Sequence, residues 1–155
     1  MLTHLNENGE ANMVDVGEKN ATVRTARAYG RIRMQKATLQ ALLTAQLKKG
    51  DGLAAARIAG IMGAKQTSTL IPLCHNIPID KVEVTFEQES DTTLAIYAAA
   101  KCRYQTGIEM ETLTAVSVAA LTVYDMCKAM DRGMVIEEIK LLEKTGGKSD
   151  YRYEG

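Results

Sequence analysis

The sequence is poor in large aromatic residues. It contains no tryptophan, one phenylalanine and six tyrosines among 155 residues. A core without these side chains must be built mainly from Ala, Leu, Ile, Val and the eight methionines. The overall composition, 46% hydrophobic and 25% charged, is ordinary for a globular protein and excludes wholesale disorder. The length fits a single domain.

Cysteine pairs and long apolar runs are also missing. Cys74, Cys102 and Cys127 are an odd number without a C-x-x-C spacing, which excludes a disulfide framework and a zinc finger. The longest purely apolar run, residues 94–100, is far shorter than the roughly twenty residues of a membrane-spanning helix. The first residues lack the apolar stretch of a signal peptide. These features predict a reducing, cytoplasmic location.

Neither sign of charge is in excess. The 19 Lys and Arg residues balance 19 Asp and Glu residues, which argues against a broad basic surface for nucleic acid or for anionic membrane. The segment 144–149 looks like a phosphate-binding P-loop, but Leu142 stands where the first glycine is required and no helix is predicted to follow. A mobile basic loop that closes over phosphate remains open.

The hydrophobic periodicity predicts strands in alternation with helices. The order is β-α-β-β-α-β with an extra helix, which is typical of the α+β ferredoxin-like fold, an antiparallel sheet packed by helices. Gly60 and Gly63 lie inside the extra helix, where each costs about 1 kcal/mol relative to Ala, so we expect close packing against another backbone. The predicted strands are 22–34, 82–86, 94–102 and 134–142, and the predicted helices are 36–47, about 53 into the sixties, and 107–130.

The first twenty residues are mostly polar. We therefore divide the chain into a flexible N-terminal arm, residues 1–20, and a single ferredoxin-like domain, residues 21–155. The only apolar cluster in the arm, Met13–Val16, is suited to dock on the domain.

His75 is one of two histidines and the only one outside the arm, which holds His4. Pro72 and Pro78 bracket it and predict a stiff, extended loop that also holds Cys74. One interpretation is a hydrogen-bonded loop histidine, and the other is a proton-transfer or substrate-contacting group. A metal site would need further ligands at usable spacing, and none accompanies this pair.

Charged residues lie at both ends of the long predicted helix. Glu109 and Glu111 at its start suit the helix dipole, worth about 0.3–1 kcal/mol each, but could also hold the N–H groups of a guanine-like ring. Asp125 and Lys128, spaced i, i+3, form either a surface ion pair or a proton acceptor and donor in a partly buried place. Neither choice is settled by spacing.

The length of this helix has a consequence for function. Fourteen residues separate Glu111 from Asp125, which is about 21 Å at 1.5 Å per residue. One small substrate cannot contact both ends within one chain. If both ends are functional, the site must combine helix ends from two subunits, and the protein must form a homo-oligomer.

Several segments, taken in order, resemble the MoaC family, the cyclic pyranopterin monophosphate synthases of molybdenum cofactor biosynthesis. The resemblance covers about residues 2–150. The L-C-H, G-x-E-M-E and Y-D-M-C-K blocks are specific in combination. The matching segments are Met13–Val16, Lys49–Asp51, Ala56–Gly60, Leu70–His75, Thr106–Thr114, Tyr124–Ala129 and Lys144–Ser149.

The resemblance implies a lyase with a GTP-derived substrate. The family converts a cyclised dihydro-GTP (3′,8-cyclo-7,8-dihydroguanosine 5′-triphosphate) to cyclic pyranopterin monophosphate and releases pyrophosphate. It implies no metal cofactor, the ferredoxin-like fold, and hexamers built as trimers of dimers with sites at the dimer interface. A non-catalytic nucleotide- or pterin-sensing module, or an inactive scaffold, is the alternative; a convergent acid/base set would discriminate against both.

The resemblance also implies roles for individual residues. Asp125 is the expected catalytic acid/base with Lys128 as its partner, and Lys49 is a second catalytic or phosphate-neutralising lysine. Many family members carry a glycine and a basic residue where this chain has Tyr104 and Gln105, which puts a basic contact from that loop in doubt. The expected substrate-binding residues are Leu73, Cys74, His75, Glu109, Met110, Glu111, Arg24 and Lys144.

Overall fold

The computed structural model of the chain describes residues 6–155. Within that range the chain forms five strands and four helices. The strands are β1 (Thr22–Arg33), β2 (Lys81–Gln88), β3 (Thr93–Tyr104), β4 (Val135–Thr145) and β5 (Tyr151–Arg152). The helices are α1 (Lys36–Leu43), α2 (Gly52–Lys65), α3 (Thr67–Leu70) and α4 (Glu109–Cys127).

The five strands form one antiparallel sheet in the order β2-β3-β1-β4-β5. The longest strands, β1 and β3, lie at its centre and pair along their full length, from Thr22 opposite Tyr104 to Arg33 opposite Thr93. The β-α-β-β-α-β order and this strand order confirm the predicted ferredoxin-like α+β fold.

Helices α2 and α4 pack against one another and against the sheet. A Cβ atom at Gly60 would lie 3.0 Å from the carbonyl oxygen of Ala115, and one at Gly63 would lie 2.8 Å from a methyl group of Val118. Close packing against another backbone is therefore confirmed for Gly60, whereas Gly63 packs against a side chain of α4. The expected core of Ala, Leu, Ile and Val is observed, but the methionines contribute less than predicted, because only Met34 and Met134 among those of residues 6–155 are buried.

Several predicted boundaries are corrected. Helix α1 ends at Leu43 rather than residue 47, because Ala45 takes a left-handed conformation with φ of 56° and reverses the chain. Helix α4 occupies Glu109–Cys127 and not 107–130. Strand β4 continues to Thr145, and the short β5, which pairs with its end, was not predicted.

The described part of the N-terminal arm forms no helix or long strand. Val16 is nevertheless buried, with 8% of its surface exposed, while Met13 is 49% exposed. Part of the apolar cluster therefore docks on the domain. His4 lies outside the described residues. In residues 6–155 no helix is both long and apolar enough to cross a membrane.

Candidate active site

Helix α4 has a cavity at each end. The α4 N-terminal cavity, of about 570 Å³, lies where the start of α4 meets the loop between α3 and β2. The α4 C-terminal cavity, of about 490 Å³, lies between the end of α4 and the turn that joins α1 to α2. The first is lined by the predicted residues Leu73, Cys74, His75, Glu109, Met110 and Glu111, and the second by Lys49, Asp125 and Lys128.

Two carboxylates define the α4 N-terminal cavity. Glu111 is buried and Glu109 is partly buried, and one oxygen of each is inaccessible and accepts no hydrogen bond from residues 6–155. Burial raises the pKa of Glu111 to about 7. A backbone hydrogen bond lowers this pKa by a smaller amount, and the charge of the neighbouring Glu109 raises it by a smaller amount still. Unpaired buried carboxylate oxygens are costly unless a ligand supplies donors.

The local sequence creates this arrangement. Gly107, two residues before the helix, has no side chain, so the Glu109 carboxylate folds back over it. Both carboxylates then lie in the first turn of α4, as predicted. Partial burial, followed by the charges of Glu111 and Glu109, raises the pKa of Cys74, which keeps its thiol protonated at neutral pH.

The loop histidine has a specific partner in the N-terminal arm. The Nε2 atom of His75 lies 2.6 Å from the carbonyl oxygen of Val14. Since a carbonyl oxygen only accepts, the imidazole nitrogen donates this hydrogen bond. The histidine therefore both lines the cavity and is hydrogen-bonded, so the two interpretations of its role are compatible.

A carboxylate between two lysines defines the α4 C-terminal cavity. Lys128 Nζ lies 2.8 Å from Oδ1 of Asp125, and Lys49 Nζ lies 3.0 Å from Oδ2. Hydrogen bonds from Lys128 and then from Lys49 lower the pKa of Asp125, and the same contact raises the pKa of Lys128. Of the two alternatives predicted for this pair, the surface ion pair describes the arrangement within one chain, because the three side chains are 50–53% exposed.

The turn between α1 and α2 positions Lys49. Leu47 is buried and its carbonyl accepts a hydrogen bond from the Gly50 N–H at 3.0 Å, which closes the turn beneath the lysine. Gly50 adopts φ of 106°, a conformation that favours glycine. Asp51 then caps α2 by accepting a hydrogen bond from the Ala54 N–H.

The structure places Arg24 and Lys144 beside these cavities rather than in their walls. Arg24 donates from Nε to the carbonyl of Tyr104 and from Nη2 to that of Gln105, each at 3.2 Å. Lys144 lines a separate, shallower cavity of about 460 Å³, which shares Glu109 with the α4 N-terminal cavity. Arg24 therefore holds the backbone of the Tyr104–Gln105 segment.

Other lining residues were not predicted as part of the site, except Lys148, which belongs to the 144–149 segment considered above as a basic loop that closes over phosphate. Val14, Val16, Lys19 and Lys148 line the α4 N-terminal cavity, and Arg132 lines the α4 C-terminal cavity. The valines were signalled by their place in an otherwise polar arm, and Lys148 by its basic loop. No sequence pattern marked Lys19. Within the described range no group of three or more His, Cys, Asp or Glu side chains is arranged to hold a metal ion.

Comparison with known proteins gives a consistent result. The sequence pattern that defines the MoaC family matches residues 13–147. A protein of Peptoclostridium acidaminophilum named cyclic pyranopterin monophosphate synthase is 57% identical over 154 residues, covering 99% of this chain and 98% of that protein. Proteins of the same name from Thermomicrobium roseum and Limosilactobacillus fermentum are 57% and 53% identical and cover 96% and 97% of this chain, and 90% and 91% of their own lengths.

Proposed function

This chain belongs to the MoaC family, and from that premise we propose that it is an enzyme of molybdenum cofactor biosynthesis that synthesises cyclic pyranopterin monophosphate. The substrate is the cyclised dihydro-GTP, and pyrophosphate is released as the cyclic phosphate closes. The reaction class is that of a lyase. The three free cysteines support a cytoplasmic location.

The observation that carries the catalytic assignment is the contact of Asp125 with two lysines. The Lys128 and Lys49 ammonium groups keep the Asp125 carboxylate ionised at neutral pH, so it can accept a proton from the substrate. Either ammonium can return a proton or neutralise the phosphate charge that develops as pyrophosphate leaves. Asp125 and Lys128 therefore form the catalytic pair, with Lys49 as the second lysine.

The α4 N-terminal cavity supplies the substrate-binding residues. The unpaired oxygens of Glu109 and Glu111 can accept hydrogen bonds from the N–H groups of a purine-derived ring. Met110 and the Leu73–His75 strip supply the remaining walls.

Positive charge for the triphosphate lies beside this cavity. Arg24 uses Nε and Nη2 on backbone carbonyls, while its Nη1 lies beside Gly147 in the basic loop. Lys144 lines the neighbouring cavity, and Glu109 lines both that cavity and the α4 N-terminal cavity. Charge-assisted hydrogen bonds from these side chains fit a polyphosphate.

The working site combines two chains. Glu111 and Asp125 lie just under four turns apart and on nearly the same side of α4, but about 21 Å apart along it. A two-fold axis near the middle of α4 would set the start of one α4 beside the end of its partner. Exposed apolar side chains on the helical layer support such packing, with Ile58, Met62 and Leu121 each 58–59% exposed. Three such dimers would form the hexamer.

Phosphorus NMR on the purified protein with the cyclised dihydro-GTP tests the activity. We expect the triphosphate signals to be replaced by those of pyrophosphate and a cyclic phosphate. An unchanged triphosphate spectrum from correctly folded protein would contradict the proposed reaction.

Mixed oligomers test the two-chain site. We would co-express His75→Ala and Asp125→Asn chains with different tags and purify the oligomers that carry both. Each variant alone should be inactive, whereas random mixing should restore about a quarter of wild-type sites, since half of the dimers are mixed and each holds one intact site. Activity no higher than in the single variants would place the whole site within one chain.

A further inference from the structure

A strap from the N-terminal arm forms part of the wall of the α4 N-terminal cavity. We define the strap as Val14–Lys19. It is shaped by its own hydrogen bonds, because the Gly17 N–H donates to Asp15 at 2.8 Å and the Lys19 N–H donates to the Val16 carbonyl at 3.0 Å. Burial of Val16 anchors it to the domain. The strap is thus a shaped, docked part of the cavity wall.

The backbone of the strap contacts the imidazole ring of His75. The carbonyl oxygen of Val14 accepts the hydrogen bond from Nε2 of His75 at 2.6 Å. A neutral imidazole carries one N–H, so a ring that donates from Nε2 has an unprotonated Nδ1. The partner of one nitrogen therefore decides the chemistry of the other.

We propose that the Val14 carbonyl is a positioning group that fixes His75 as the Nε2–H tautomer and leaves Nδ1 as the hydrogen-bond acceptor for an N–H or O–H group of the substrate. The proposal rests on the proposed function for the statement that His75 meets substrate. The tautomer itself is a property of the free protein. It gives the N-terminal arm a role in the site through main-chain geometry, independent of its side-chain charges.

The carbonyl can act in this way only while the strap stays docked. Val16, two residues beyond Val14, is its buried anchor, whereas Met13 on the other side is about half exposed. A charge at residue 16 should release the strap and free the imidazole to exchange tautomers. The same charge at residue 13 should remain in solvent and leave the strap in place.

Nitrogen-15 NMR of the histidine rings tests the proposal without substrate. We would record long-range proton–nitrogen correlations at about pH 8, where an unperturbed imidazole is neutral, in a His4→Gln background with His75 as the only histidine. We expect Nε2 with the shift of a protonated nitrogen and Nδ1 with that of an unprotonated one. The opposite tautomer, or an averaged spectrum, in the otherwise wild-type chain would overturn the proposal.

Two matched variants connect the tautomer with turnover. Val16→Asp should give an averaged His75 spectrum and lower kcat/KM by about 10²-fold, the cost of misplacing a contact group by about 1 Å. Met13→Asp should match wild type in both. If Val16→Asp does not fold, Val16→Ala should show the same changes to a smaller extent. A folded Val16 variant with an unchanged His75 tautomer would overturn the proposal, and an inactive wild type would contradict only the proposed function.

Discussion

The two ends of α4 shift the pKa of a carboxyl group in opposite directions. At the start of the helix, Glu111 is 3% exposed and burial raises its carboxyl pKa to about 7. At its end, Asp125 is half exposed and the adjacent Lys128 and Lys49 lower its pKa. One carboxyl group can therefore be neutral or charged near neutral pH, while the other stays charged.

The helix dipole would produce the reverse pattern. It favours negative charge at the start of a helix and disfavours it at the end, by about 0.3–1 kcal/mol. Desolvation outweighs it at Glu111, and two hydrogen-bonded ammonium groups outweigh it at Asp125. The lesson is that the immediate surroundings of a carboxylate, rather than its place on the helix, set its protonation.

The largest expected effect comes from removing the charge at the end of α4. Asp125→Asn keeps the shape of the side chain but removes the proton acceptor, so we expect the rate of pyrophosphate release to fall by about 10²–10⁴-fold. The fold should be unchanged because the side chain is half exposed. Steady-state kinetics with circular dichroism on the same samples checks both statements.

Asp91→Asn is the matched control for this variant. Asp91 also pairs with a lysine, Lys36, at 3.7 Å, but lies away from both cavities. It should leave the rate within about twofold of wild type, because an exposed ion pair contributes little and this one contacts neither cavity. Equal losses in the two variants would mean that Asp125 acts only through a surface charge.

The next effect concerns stability at the start of α4. Because the pKa of Glu111 is raised in the folded state, the folded protein loses stability as the pH rises from about 4.5 through about 7. Glu111→Gln cannot ionise, so this loss, up to about 3 kcal/mol, should disappear and the variant should exceed wild type at pH 8.

Urea unfolding at a series of pH values measures this effect. Glu87→Gln, on the exposed part of β2, is a suitable control and should leave the wild-type pH dependence intact. A Glu111→Gln variant that loses stability with rising pH as steeply as wild type would show that Glu111 is not the desolvated group.

A smaller effect tests the packing of α2 against α4, the helix that separates the two cavities. Gly63→Ala gains about 1 kcal/mol of helix propensity, but its methyl group would meet Val118 on α4. We expect net destabilisation of about 1–2 kcal/mol in urea unfolding. Adding Val118→Ala to the Gly63→Ala chain should relieve the clash. A Gly63→Ala variant that is more stable than wild type would contradict the close contact between Gly63 and Val118.

The smallest effect compares the two lysines at the end of α4. Lys128→Ala should raise the pKa of Asp125 more than Lys49→Ala does, since Lys128 makes the stronger hydrogen bond. Carbon-13 titration of the aspartate carboxyl groups measures both shifts. Lys48→Ala is the control, because Lys48 lines the same cavity without an ion pair among residues 6–155. A larger shift for Lys49→Ala would reverse the assignment.

The sequence predicted much of the fold because its signals are local. Alternation marked β1 to β4, and the order of elements identified the topology. The turn at Ala45, which has no glycine, and the short β5 left no comparable signal. The turn is closed by backbone hydrogen bonds to the last carbonyls of α1, and β5 is only two residues long and pairs with the end of β4. Backbone contacts of this kind need no particular side chain, so no residue pattern marked them.

The same division holds for the candidate site. Local spacing placed Glu109 and Glu111 in the first turn of α4 and separated them from Asp125. Only the tertiary structure brought Lys49, seventy-six residues away, to Asp125 and set the strap against His75. It also decided how much water reaches each carboxylate. The sequence determines the charge of a residue and its position on a helix. Desolvation depends on which other parts of the chain pack over the residue, and only the tertiary structure determines that.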